Sequence, residues 1–133
     1  ARLRAETSVP DPTVKAAAWE KLLGDGYGSL YLTGAAMSGF NWRHQRAILE
    51  PYVERFFEVL PGVFRDRDKE FAVDFFRNLA PAYRVEPDVV ERARRVLETA
   101  GGNVLLSRTV REFIDDMERA IRCREFAAST AGS

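Results

Sequence analysis

AAMSGFNWRHQRAILEPYVERFF, Ala35 to Phe57, is the stretch whose punctuation decides the fold class. Gly39–Phe40 reads as a helix stop and Arg43 to Leu49 as a short amphipathic helix. At Pro51-Tyr52 the chain either kinks or starts a new helix, because proline lacks an N–H and its ring clashes with the preceding turn. From Tyr52 onward Val53, Phe56, Phe57 and Leu60 recur at helical spacing and mark one apolar face. Pro61-Gly62 is expected to break it. No part of the stretch alternates apolar and polar residues as a half-buried strand would.

The same grammar extends to both sides. Upstream, Asp11-Pro12 is an N-cap followed by proline at the first helical position, with Val14, Ala18, Trp19, Leu22 and Leu23 as the expected apolar face and Gly24-Asp25-Gly26 as the stop. Ser29 caps a second helix with Leu30, Leu32, Ala36 and Met37 inward. Downstream, a helix from about Asp66 to Ala80 sets Phe71, Ala72, Phe75, Phe76 and Leu79 on one face, and Pro81 stops it. Pro87 opens another, with Val89, Val90, Ala93, Val96, Leu97 and Ala100 inward and Gly101-Gly102 at its end. Asn103 caps the last helix, whose stripe is Leu106, Val110, Phe113, Ile114, Met117 and Ile121. On its outer face Arg111–Asp115, Asp115–Arg119 and Glu118–Arg122 stand at i,i+4, each pair contributing about 0.2–0.5 kcal/mol where it forms. The expectation is an all-α fold of stacked antiparallel helical hairpins in a right-handed, HEAT-like array, without a clean sequence repeat. Residues 1–10 read as a linker or the remnant of a preceding segment, 11–126 as the helical domain and 127–133 as a disordered tail.

Composition narrows the function classes. A chain of 133 residues can bury a core without staples, and 30% charged with 46% hydrophobic residues is ordinary globular composition. Lys plus Arg and Asp plus Glu number 20 each, so no net field favours nucleic acid or an anionic membrane. Cys123 is the one cysteine and His44 the one histidine, too few for a protein-only zinc site of three or four N or S ligands. A single thiol makes no internal disulfide and suits a reducing, cytoplasmic setting. There is neither a membrane-spanning run nor a signal-peptide pattern. The chain opens without Met, and a fragment of a longer polypeptide is expected.

Three stretches together carry a family resemblance. KAAAWEKLL (Lys15 to Leu23), SGFNWRHQRAILEPYVERFFEVLP (Ser38 to Pro61) and LLSRTVREFIDDMERAIRCRE (Leu105 to Glu125) resemble, in order, segments of the C-terminal helical domain of zinc aminopeptidases of the aminopeptidase N family, actinobacterial type. The middle one is similar to that family's GF…Q..LL.PYV.RYF..LP pattern. The resemblance implies a helical domain that closes over a catalytic domain and shapes the cavity admitting peptides. It also implies a parent that removes N-terminal residues from peptides using zinc held elsewhere. The family's HExxH and GxMEN motifs are absent here: His44 is followed by Gln45, Arg46, Ala47 and Ile48, so the general-base carboxylate and second imidazole are missing. No catalytic or metal-ligating residue, and no cofactor, is therefore assigned to this chain. Its expected partner is the catalytic domain in cis, with peptide substrates met indirectly.

For cavity or domain contact the candidates are Tyr31, Trp42, His44, Arg92 and Arg95. Each has a plainer alternative. Trp42 follows a helix stop and could mark a surface meeting the rest of a parent. His44, flanked by Arg43 and Arg46, otherwise reads as solvent-facing. The Arg92, Arg94, Arg95 cluster suits a carboxylate, yet alternates with Glu91 and Glu98 on a face that is solvated in any case. Cys123 between Arg122 and Arg124 lacks a base partner and reads as an incidental thiol. The aromatic series Tyr52, Phe56, Phe57, Phe64, Phe71, Phe75 and Phe76 has the spacing of core rather than of a peptide groove. The alternative function is a free-standing helical-repeat module that binds a protein partner.

Overall fold

A computed structural model describes residues 6, 8–24, 36, 37, 40 and 46–131. Among them the fold is all-α, with five helices and no strand: α1 (Pro12–Leu23), α2 (Arg46–Asp66), α3 (Lys69–Leu79), α4 (Pro87–Thr99) and α5 (Val104–Ala131). The expected second helix around Ser29, the Gly39 stop and the start of the Arg43 helix lie outside the described residues. The chain divides into two compact units. One comprises Ala1–Phe56 with Arg67–Ala80, the other Phe57–Asp66 with Pro81–Ser133.

The first unit is held by an aromatic cluster. Trp19 of α1 lies 5.6 Å from Phe40, 5.2 Å from Tyr52 and 6.1 Å from Phe75, ring centre to ring centre. Phe40 meets Tyr52 edge-on at 4.9 Å, and Phe56 of α2 stacks on Phe75 of α3 at 5.4 Å. Offset and edge-to-face geometries such as these add roughly 0.5–1.5 kcal/mol each to plain area burial. Caps set the ends of the elements. Asp11 accepts from the Thr13 and Val14 amides at 2.8 and 3.2 Å, and Asp68 accepts from the Phe71 amide at 2.8 Å. Arg67 sits over the Phe71 ring, 3.8 Å from its centre, and donates to the Leu23 carbonyl at 3.0 Å, placing a cation at the C-terminal end of α1, where the helix dipole favours one.

The buried face of α1 differs from the expected one. It comprises Lys15, Ala18, Trp19 and Leu22, an i, i+3, i+4, i+7 set, whereas Val14 is exposed and Leu23 half-buried. Rotating the helix toward Lys15 brings Trp19 into the aromatic cluster at the expense of Val14. That is favourable because a Trp carries far more apolar area than a Val.

Pro61-Gly62 does not end its helix: α2 continues to Asp66. An interior proline costs ~3 kcal/mol and a glycine in place of alanine ~1 kcal/mol. Stopping at Leu60 would forfeit the burial of Val63 and Phe64, each worth roughly 1.5–3 kcal/mol, so the two sides are comparable and packing carries the helix through. Pro51 is likewise internal. Ala47, whose carbonyl Pro51 cannot bond, is exposed, and water can take the missing donor's place.

In the second unit α4 and α5 pack on each other as a helical hairpin. Gly101 turns the corner at φ 61°, a left-handed conformation that favours glycine, and the Asn103 side chain caps α5 by accepting from the Leu106 amide at 3.0 Å. The Asn103 amide also donates to the Phe64 carbonyl at 3.5 Å, and Phe57 meets Phe113 at 6.3 Å. Val89, Val90, Ala93 and Val96 of α4 and Leu106, Val110, Phe113, Ile114 and Met117 of α5 are buried as expected, with Leu97 and Ile121 half-buried. Glu118 does not wait for Arg122 on its own helix; it pairs with Arg94 of α4 at 2.9 Å. α5 runs on through residues 127–131, with positions 127–130 exposed.

Candidate functional site

The sequence-based candidates separate into two groups. Tyr31, Trp42 and His44 lie outside the described residues. Arg92 and Arg95 both stand on α4, Arg92 half-buried and Arg95 exposed. Three residues apart, they share one flank of the helix. Arg94 leaves that cluster for the opposite flank, where its guanidinium is committed to Glu118. Arg92 and Arg95 thus share a flank of α4 that Arg94 does not.

The other flank borders an open groove of ≈ 300 Å³ lined by Pro87, Val90, Glu91, Glu118, Ile121 and Arg122. Its floor is apolar and its rim charged with both signs. A second open hollow of ≈ 520 Å³ lies at the α4–α5 turn, where Gly101, Gly102, Asn103 and Val104 meet Ser107, Arg108, Arg111, Glu112 and Asp115. Sequence reasoning did not anticipate either one: the walls of the first come from two helices whose register is fixed by packing, and those of the second from the α4–α5 turn together with α5. Neither gathers a nucleophile, a base and a donor into one constellation.

Beside the exposed Arg65–Asp66 pair, whose mutual hydrogen bonds raise the arginine and lower the aspartate, Lys15 and Tyr52 have displaced acidities, and both are structural in setting. Lys15 is fully buried; its ammonium donates to the Phe40 carbonyl at 2.7 Å and sits 5.0 Å above the Phe40 ring centre. Burial lowers its pKa to about 8. Such a lysine is chemically suited to nucleophilic work, but at zero exposure it has no access to a substrate. Burial also raises the Tyr52 pKa, opposed by the Arg55 guanidinium 5.2 Å from its ring, with Glu20 adding to the rise. The unanticipated interior residue is therefore Lys15. The signal for it was present: position 15 stands three, four and seven residues before Ala18, Trp19 and Leu22.

Zinc, the metal the resemblance implies for a parent enzyme, does not fit this chain's donor set. There is one His and one Cys in the whole sequence, and among the described residues no three His, Cys, Asp or Glu side chains gather where they could hold an ion. Among those residues no helix is long and apolar enough to cross a membrane.

No family model matches the chain. Aminopeptidase N of Streptomyces lividans is 33% identical to it over 127 residues, which is 96% of this chain and 15% of that relative. The resemblance carried by KAAAWEKLL, SGFNWRHQRAILEPYVERFFEVLP and LLSRTVREFIDDMERAIRCRE thus extends over almost the entire chain, which is similar to a limited part of an aminopeptidase N and spans only 15% of that relative's length.

Proposed function

We propose that the chain is a non-catalytic helical portion of a zinc-dependent aminopeptidase, from its C-terminal domain, that packs on the catalytic domain and shapes the path by which peptides enter. The identity to aminopeptidase N over 96% of the chain carries this reading. The lack of an HExxH sequence around His44 assigns zinc and water activation to another part of the parent. On this reading the described helices belong to a HEAT-like array, for which the α4–α5 hairpin is a suitable unit. The Arg92–Arg95 flank is then a place where peptide carboxylates or the catalytic domain are met, and the parent works in the cytoplasm. Incubating the purified chain with Zn²⁺ and a panel of aminoacyl 4-nitroanilides tests the assignment. Hydrolysis at the buffer rate is expected. Robust hydrolysis that a chelator abolishes would overturn it.

A further inference from the structure

Pro61 and Gly62 stand together inside α2, the one helix among the described residues that contributes to both compact units. Residues through Phe56 belong to the first unit and Phe57 begins the second. Phe57 is also the residue four positions before Pro61, the one whose carbonyl an ordinary residue at 61 would bond; proline has no N–H to offer it. Sharp bends in helices concentrate at such prolines. Gly62 adds backbone freedom that packing does not demand. A Cβ at that position would find its nearest neighbour, the flexible end of Arg65, at 3.7 Å, an ordinary contact. Two residues that weaken a helix therefore occupy consecutive positions, without a steric need for the glycine, one turn past the unit boundary.

We infer that α2 is jointed at Pro61-Gly62, opening locally across residues 57–62 more often than the helix on either side. The joint is independent of the peptidase reading, since it rests on backbone chemistry alone. Amide hydrogen exchange on the full chain tests it. Protection is expected to pass through a minimum over 57–62, with exchange at least ~tenfold faster there than at Val53–Phe56 and at Val63–Phe64; fraying from the Asp66 end would instead give a steady decline. Pro61→Ala with Gly62→Ala is expected to erase the minimum, and Gly62→Ala alone to slow exchange there by about fivefold, the cost of a helical glycine. Protection without a minimum in the unsubstituted chain, or a minimum that the double substitution leaves in place, would overturn the inference.

Discussion

Lys15 is the residue at which burial and sequence disagree most, and its chemistry makes a prediction in pH. Its folded pKa of about 8 lies below the ordinary 10.5. Between those values the unfolded chain holds a proton that the folded chain has released, so stability rises with pH across that window. Below about pH 8 both states are protonated and the dependence disappears. Tyr52, raised above 10.0, acts with the opposite sign at more alkaline pH, which makes pH 8 to 10 the cleaner interval. Urea denaturation should show a gain on the order of 1–2 kcal/mol between those limits. Lys15→Met should abolish the gain; an unchanged slope in that variant would assign it elsewhere. Asn103 offers a second residue-scale test. Asn103→Ala removes the α5 cap and should cost about 1 kcal/mol, whereas Asn103→Asp keeps an acceptor for the Leu106 amide and should cost less. Thermal denaturation of both variants orders them. The caps at Asp11, Asp68 and Asn103 act through backbone amides two or three residues away. Such local chemistry makes Asp11 and Asn103 readable from sequence, as the boundary at Asp68 nearly was. Lys15 stands at a core position by spacing, but spacing alone does not tell a buried lysine from a solvated one until its neighbours are placed.

At the scale of elements, periodicity served well and punctuation less well. The stripes of α3, α4 and α5 follow the spacing of their apolar residues, and every member of the aromatic series from Tyr52 to Phe76 is buried. Pro61 misled because a proline's local cost of ~3 kcal/mol is the same order as the burial of the two large side chains beyond it, and sequence shows the cost but not the burial. The Phe56–Phe75 stack is central to the first unit, with Phe75 also 6.1 Å from Trp19 and 6.2 Å from Phe71. Phe75→Ala should destabilise the protein by about 3–5 kcal/mol, while Phe126→Ala, at an exposed position, should change it by less than about 0.5 kcal/mol. Comparable losses from the two substitutions in a chemical-denaturation series would contradict the packing described here.

For the whole molecule, what was legible was the class and the kinship. Helical spacing and capping residues pointed to an all-α chain, and three stretches in order pointed to aminopeptidase N, to which 96% of the chain is similar. The candidate site was far less legible. Arg92 and Arg95 share a flank by spacing alone, but the withdrawal of Arg94 to Glu118 depends on how α5 lies against α4. The groove between α4 and α5 is a product of the same packing. A role in shaping peptide access requires that a catalytic domain exist in the same polypeptide. The most direct measurement is therefore the sequence of the reading frame upstream of the Ala1 codon. An in-frame continuation into a long polypeptide bearing GxMEN and HExxH is expected. A start codon with its ribosome-binding site immediately before Ala1 would contradict the assignment and favour a free-standing interaction module.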